Sequence, residues 1–187
     1  MYRDHNCGEL TIKNVGEKVT IAGWVQRIRN LGSMIFIDLR DQFGITQIVV
    51  SADNKEKLEN VVSECVIQVV GTVVERSNKN TKILTGEIEV EAQEIEILGK
   101  CKNVLPFEVN SEKTGEVKED LRLEYRFLDL RNDKLHKTIL LRSEVMKTIR
   151  KKMDELGFTE IQTPILANSS PEGARDYLVP SRLHPGE

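Results

Sequence analysis

The 187-residue sequence has little of what export signals, membrane spans, disulfide frameworks and zinc sites are built from. No apolar run approaches the roughly 18 residues of a membrane span, and the charged amino-terminal residues include no apolar stretch for export. The three cysteines lie far apart and include no Cys-x-x-Cys pair, which argues against a disulfide framework and a zinc site. We therefore expect a cytoplasmic protein with reduced packing thiols and no metal ligands.

An excess of charge of one sign is lacking as well. The chain carries 27 Lys and Arg against 30 Asp and Glu, a net charge of -3, and neither of its halves is basic. A protein that coats nucleic acid indiscriminately would need a positive surface, so any contact with a polyanion must come from a local cluster. With 39% hydrophobic and 30% charged residues, the chain is globular and long enough for one domain of about 100 residues and a second piece.

What the first part of the chain does have is a regular alternation of apolar and polar residues, which predicts strands. The predicted strands are Lys18–Arg29, Met34–Arg40, Ile45–Val50, Val66–Arg76 and Glu87–Leu98. Helical spacing of apolar residues predicts one helix over Asn54–Glu64. Three strands, a helix and two strands is the order of an all-β OB-fold, a small barrel whose exposed face and flanking loops commonly bind single-stranded nucleic acid.

Four polar or aromatic residues are expected to meet on the open face of this barrel. Arg27 and Arg29 end the first strand, Phe36 lies in the second and Gln47 in the third. Cations for phosphate, a ring for base stacking and an amide for a base edge are what a splayed-out nucleotide loop requires. The alternative is that Phe36 belongs to the core and the two arginines are solvated strand ends.

Three glutamates alternate with apolar residues in the fifth strand, namely Glu87, Glu89 and Glu91. A row of carboxylates repels a phosphate backbone unless one of them reads a base. Guanine presents two adjacent donors on its Watson–Crick edge, and a carboxylate accepts two hydrogen bonds side by side. A glutamate on this face is therefore a plausible guanine reader, and a solubilising edge strand is the alternative.

The second part of the chain begins after a polar stretch that predicts a linker over residues 108–120. Apolar periodicity then predicts a short helix over 121–130 and a long one over 134–156, which Gly157 caps. A strand is predicted over 159–163. The expected division is a barrel over residues 1–107, a hinge over 108–132 and the start of a second domain over 133–187.

Three segments are the most distinctive, namely Tyr125–Arg131 (YRFLDLR), Gly157–Leu166 (GFTEIQTPIL) and Pro171–Arg182 (PEGARDYLVPSR). They resemble bacterial aspartyl-tRNA synthetases, which are class II aminoacyl-tRNA synthetases. Gly157–Leu166, with the helix before it, is similar to motif 1, the helix–strand unit that builds the class II dimer interface. Tyr125–Arg131 (YRFLDLR) resembles the hinge of the subgroup that charges aspartate, asparagine and lysine. Pro171–Arg182 (PEGARDYLVPSR), Gly23–Val25 and Phe36–Asp41 (FIDLRD) are similar to the bacterial aspartyl pattern. The resemblance implies an OB-fold barrel, a hinge and the first helix–strand unit of a class II α+β catalytic domain.

The resemblance also implies roles for particular residues. The family's barrel binds the anticodon loop of aspartate tRNA, and the positions that match its contacts are Arg27, Arg29, Phe36, Gln47, Arg76, Asn80 and Glu89. Phe36 would stack on the central uracil of the anticodon, and Gln47 would touch the same base. Glu89 would read the first anticodon base, guanine or its queuosine derivative.

For the catalytic half, the resemblance implies an incomplete site. Residues 167–176 match the flipping loop that closes over aspartate and its adenylate, with Glu172 nearest the amino group of the substrate. The ATP-binding arginines of the family lie in motifs 2 and 3, which this sequence does not contain, so we expect no catalytic residue and no bound cofactor here. The whole enzyme would use ATP and Mg²⁺ and dimerise through motif 1. Two hypotheses remain: the chain is part of an aspartate–tRNA ligase, or it acts by itself as a catalytically inactive RNA-binding module.

Overall fold

The computed structural model describes residues 2–102, 104–110, 117–166 and 179–184. The chain forms two compact units, residues 1–137 and 138–187. The described part of the predicted hinge, residues 108–132, falls within the first unit, and the domain boundaries expected from the sequence stay predictions. None of the helices in the described part is both long and apolar enough to cross a membrane.

The first unit contains a closed five-stranded barrel. Its strands are β1 (Lys18–Asn30), β2 (Met34–Arg40), β3 (Ile45–Ser51), β4 (Val66–Glu75) and β5 (Ile88–Gly99). The order around the barrel is β1-β2-β3-β5-β4, and β4 pairs with β1 to close it. The β3–β5 pair is parallel and the others are antiparallel. The five predicted strands and the OB-fold are confirmed.

Alternation along each strand places one set of side chains inside the barrel. In β1 the fully or almost fully buried members include Val19, Ile21 and Val25, and in β2 they are Ile35, Ile37 and Leu39. Successive side chains of a strand point to opposite faces, so the residues between them face outward. The outer face of β2 therefore carries Phe36 and Asp38.

A β-bulge in β1 changes which side chains face outward at its end. Val25 pairs with Leu39, but the next paired residue is Arg27, which lies opposite Asp38. Without the extra residue, Arg27 and Arg29 would share the inward face of Val25. The bulge instead turns Ile28 towards the core and both arginines to the outer face.

The connection between β3 and β4 differs from the prediction. In place of a helix over 54–64 there is a 3₁₀ helix, Ala52–Leu58, followed by turns. Leu58 and Val61 are both buried against the barrel core. Glu64 takes a positive φ of 65° and its backbone N–H donates to Val25 O at 2.7 Å. A regular helix cannot contain that conformation, so no helix continues through Glu64 into β4.

Glu64 also holds a buried ion pair. Nη2 of Arg40 donates to both carboxylate oxygens of Glu64 at 2.9 and 3.0 Å, and both side chains are 4% exposed. Arg131 approaches the same carboxylate at 3.4 Å and lies 4.8 Å from the ring centroid of Trp24. These contacts connect the residues after the short helices to the barrel wall.

The predicted helix over 121–130 is divided into α1 (Glu119–Glu124) and α2 (Arg126–Asp129). Tyr125 lies between them with φ -103° and ψ 47°, outside the helical region. Asp129 is fully buried and accepts hydrogen bonds from Arg122 at 2.9 Å and Arg126 at 2.6 Å. In one continuous helix Arg122 and Asp129 would be about 10 Å apart along the axis, so the break brings them together. The hydrogen bond to Asp129 raises the pKa of Arg122.

The long helix α3 (Asp133–Glu155) agrees with the prediction, and most of it lies in the second unit. Gly157 follows it with φ 83°, and the N–H groups of Gly157 and Phe158 bond back to Asp154 and Met153. Gly157 therefore caps the helix, as predicted, and the two bonds form a Schellman motif. Apolar side chains of this region are exposed, from 37% for Ile139 in the helix to 98% for Ile165 beyond it.

The predicted strand over 159–163 is not formed. These residues have no regular secondary structure, and they are exposed like the rest of the described second unit. A strand is stable only beside a hydrogen-bonded neighbour, and the described residues of this unit include no other strand. Glu172 lies outside the described residues, so the predicted flipping-loop contact has no structural description.

Candidate nucleic-acid interface

Strand register places four site residues in one row across the outer face of the barrel. Arg27 pairs with Asp38, and Asp38 pairs with Gln47. The parallel pairing of Val49 with Glu91 sets Gln47 beside Glu89, two residues earlier on both strands. The row therefore crosses β1, β2, β3 and β5, and it brings together residues that are far apart in the sequence.

Gln47 is the centre of a hydrogen-bond network in this row. Its carbonyl Oε1 accepts from Arg76 Nη2 at 2.7 Å and from Arg29 Nη2 at 3.1 Å. Its amide Nε2 donates to Glu89 Oε2 at 2.6 Å. Arg29 Nη2 also donates to Asp38 Oδ1 at 2.7 Å. Of the residues predicted from sequence, the structure joins Arg29, Gln47, Arg76 and Glu89.

The network fixes which end of the Gln47 amide faces which partner. Guanidinium groups have donors and no acceptor, so the atom facing Arg29 and Arg76 must be the carbonyl oxygen. The NH₂ group is then directed to Glu89. Gln47 is only 4% exposed, and low local dielectric strengthens such charge-assisted bonds. The amide is therefore held in one orientation before any ligand binds.

Phe36 and Arg27 lie at the edges of this network. Phe36 is partly buried on the outer face, between Arg29 of β1 and Val49 of β3 in the neighbouring row. It does not belong to the barrel core, so the alternative raised for it from sequence is wrong. Arg27 is exposed, and its side chain makes no hydrogen bond or ion pair with any described residue.

Asn80 is not part of the network. Its backbone N–H donates to Gly86 O at 2.9 Å, and its side-chain Oδ1 accepts from the backbone of Lys82 at 3.0 Å. A Cβ at Gly86 would lie 1.7 Å from Asn80 O, so the two backbones approach as only glycine allows. Asn80 therefore shapes the β4–β5 loop, the loop that begins at Arg76.

The three glutamates of the β5 region are not equivalent. Only Glu89 joins the network. Glu87 lies 3.7 Å from Lys79, whose hydrogen bond to Glu75 raises the pKa of Lys79. Glu91 is exposed and has no side-chain hydrogen bond or ion pair among the described residues. The alternative of a solubilising edge strand therefore fits Glu91. Glu89, by contrast, is a hydrogen-bond acceptor that is held in a fixed position.

Sequence reasoning missed Asp38. Its side chain is 23% exposed and bonds to Arg29, its diagonal neighbour, although its paired residue is Arg27. The signal was present in the sequence, because Asp38 lies two residues after Phe36 in an alternating strand and so must share its face. A carboxylate beside arginines that are predicted to bind phosphate does not itself indicate a contact with RNA, so Asp38 is not predicted as a site residue.

The described residues do not form a site for ATP or Mg²⁺. They contain no group of three or more His, Cys, Asp or Glu residues placed to hold a metal ion. The described part of the second unit is exposed throughout. The residues present therefore do not fit either group, and no reaction step is assigned to them.

Two family models match the chain, one after the other. An OB-fold nucleic acid binding domain matches residues 19–98, which is the barrel that carries the network. Class II tRNA synthetases (D, K and N) match residues 118–187. Aspartate–tRNA ligases match the chain over almost all of its length at just over half identity. The chain belongs to the aspartyl-tRNA synthetase family.

Among these synthetases, an aspartate–tRNA(Asp/Asn) ligase of Chlamydia caviae is 51% identical over 99% of this chain. That of Rickettsia prowazekii is 53% identical and an aspartate–tRNA ligase of Streptomyces avermitilis 52%, each over 100% of this chain. The chain spans about a third of the length of these relatives, 31% to 32%. A solved asparaginyl-tRNA synthetase from Pyrococcus horikoshii, complexed with asparaginyl-adenylate, has 27% identity and a TM-score of 0.77, covering 92% of this chain and 39% of that one.

Proposed function

We propose that this synthetase chain recognises the anticodon loop of aspartate tRNA as part of an aspartate–tRNA ligase. The observation that carries the proposal is the network centred on Gln47, which holds an amide and a carboxylate in place on the outer face of an OB-fold. Unpaired bases are read by such groups at their Watson–Crick edges, with aromatic rings beside them for stacking.

The roles are those that the family resemblance implies, and the exposure and partners of the residues support them. Arg27 is exposed and unpaired among the described residues, so it contacts phosphate. Phe36 stacks on the central base of the anticodon, a uracil, and Gln47 contacts the same base. Glu89 accepts hydrogen bonds from the first base, a guanine or its queuosine derivative. Arg29, Arg76 and Asn80 complete the anticodon site.

The chemistry of the whole ligase is proposed from the relatives. In the whole ligase, the aspartate carboxylate would attack the α-phosphate of ATP and release pyrophosphate, with Mg²⁺ assisting by charge neutralisation, and the acyl group of the adenylate would pass to the 3′ end of the tRNA with release of AMP. Glu172 would lie near the amino group of aspartate. The whole enzyme would act as a homodimer through motif 1 and in the cytoplasm. The 187-residue chain by itself is proposed to bind RNA without catalysing either step.

The test is equilibrium binding of labelled anticodon stem-loops to the 187-residue chain. We expect weak binding with a shallow salt dependence, because each neutralised phosphate adds only about 0.7 to the slope for single strands. Arg27→Ala should weaken the aspartate stem-loop and an unrelated one alike and reduce the slope by about one phosphate. Equal affinity of the unaltered chain for the two stem-loops at moderate salt would refute specific anticodon recognition.

A further inference from the structure

Asp38 has a contact that the proposed anticodon site does not explain. It accepts a hydrogen bond from the same Arg29 nitrogen, Nη2, that donates to Gln47. One guanidinium nitrogen thus connects a carboxylate of β2 with an amide of β3. Both hydrogens of this nitrogen are therefore used within the protein, whereas Nη1 of Arg29 has no hydrogen bond among the described residues.

The charges of the network balance. Arg29 and Arg76 contribute two positive charges, and Asp38 and Glu89 contribute two negative ones around the neutral amide of Gln47. Removing the carboxylate of Asp38 would leave one excess positive charge and release Arg29 from its anchor. The second arginine, Arg76, would then be the one remaining fixed donor to the Gln47 carbonyl.

We propose that Asp38 is a positioning residue for base recognition. Asp38 holds Arg29 against the carbonyl of Gln47, and the NH₂ group of Gln47 is then directed to Glu89. Glu89 Oε1, which accepts no hydrogen bond from the described residues, is thereby presented to the base in one orientation. This inference rests on the proposed function, and it gives Arg29 a positioning role within the protein in addition to the RNA contact that the family resemblance implies.

The physical reason for such an arrangement of side chains is specificity for one base. A Gln side chain has two nearly isosteric amide orientations, and only one of them offers Glu89 a donor. A flipped Gln47 would place its carbonyl against the Glu89 carboxylate and push that side chain away from the base. Two guanidinium donors on the carbonyl prevent the flip, and the Asp38 carboxylate keeps one of these donors in place.

The binding test uses the 187-residue chain and two stem-loops that differ only in the first anticodon base, guanine or adenine. Asp38→Asn keeps the shape but removes the charge, and it should weaken guanine binding about tenfold, the loss expected for one charge-assisted hydrogen bond. Adenine binding should change less than about twofold or become tighter, since a released Arg29 attracts phosphate. Glu91→Gln, on the same face and without a described partner, is the matched control and should change neither affinity.

The substitution Arg29→Lys distinguishes a positioning role of Arg29 within the protein from a phosphate contact. A lysine retains the charge that attracts phosphate, but it lacks the planar fork that can bridge Asp38 and Gln47. We expect this variant to reproduce the loss of guanine preference seen in Asp38→Asn. If either variant keeps the guanine preference of the unaltered chain, the positioning role is wrong. If the unaltered chain has no such preference, the proposed function fails and the inference fails with it.

A second readout needs no RNA. The side-chain NH₂ of Gln47 should give two well-separated proton resonances in the NMR spectrum of the unaltered chain, because one proton is bonded to Glu89. In Asp38→Asn these resonances should move towards the values of a solvated glutamine, whereas Glu91→Gln should leave them in place. Unchanged Gln47 resonances in Asp38→Asn would overturn the inference even if anticodon binding is specific.

Discussion

Replacing Glu89 by glutamine tests the base reader most directly. In the structure, Gln47 donates its NH₂ to Glu89 Oε2 at 2.6 Å, and its orientation is fixed by two guanidinium groups. A glutamine at position 89 must therefore turn its carbonyl to Gln47. Its own NH₂ then faces the base, where guanine presents donors, so an attractive pair is replaced by a repulsive contact.

The expected cost follows from the loss of a bidentate base contact, about 1–3 kcal/mol. At constant salt this is a decrease in affinity of about 5- to 150-fold for the stem-loop with guanine first. On a stem-loop with adenine first the decrease should shrink sharply, because adenine offers a carboxylate a different set of partners on that edge. Thermal stability should change little, since the substitution keeps the hydrogen bond to Gln47.

The assay is fluorescence anisotropy with both stem-loops at one salt concentration. Glu91→Gln is the cleaner control, because Glu91 lies on the same strand and has no described partner, whereas Glu87 lies near Lys79. All three substitutions remove one negative charge from the same region, so a general electrostatic effect would appear in all of them. If Glu89→Gln behaves like Glu87→Gln and Glu91→Gln, the carboxylate is a solvated edge residue and the guanine assignment is wrong.

Three further predictions concern the barrel itself. Glu64→Ala should lower the free energy of unfolding in urea by about 3–5 kcal/mol, because it leaves buried Arg40 without its partner. Arg40→Met in the same chain should recover part of this loss. A loss below about 1 kcal/mol for Glu64→Ala would contradict the prediction. Gly86→Ala places a Cβ 1.7 Å from a carbonyl oxygen across the β4–β5 loop, so it should weaken stem-loop binding, and unchanged affinity would show that the loop shape is unimportant. Burial raises the pKa of Cys7, so alkylation at about pH 8 should modify half-buried Cys101 well before Cys7; equal rates would refute the protected thiol.

The five strands could be predicted because their signal is local. Alternation of apolar and polar residues along β2 assigns Ile35 and Ile37 to the core and Phe36 to the outer face, whatever else the chain does. The cap at Gly157 is equally local, since only glycine takes the positive φ that ends the helix without strain. Resemblance to a family then supplied Arg76, which no local pattern distinguishes.

Two of the errors lie where distant parts of the chain set the conformation. The helix predicted over 54–64 has suitable apolar spacing, but only a 3₁₀ helix up to Leu58 is formed, and Glu64 takes a positive φ where its N–H donates to Val25 of β1. The strand predicted over 159–163 has the right residue types, but a strand needs a hydrogen-bonded neighbour, which the described residues of its unit do not supply.

The sequence by itself determined the barrel, the residue types on its outer face and the family to which the chain belongs. The tertiary structure alone decided that a bulge after Val25 turns Arg27 and Arg29 outward, and that these two arginines have different environments. It also decided that Asp38 belongs to the site and that Glu89, unlike its neighbours, is held by Gln47. The reason is that periodicity assigns a side chain to a face, whereas hydrogen-bond partners across strands depend on register, which is set by pairing between residues far apart in the chain.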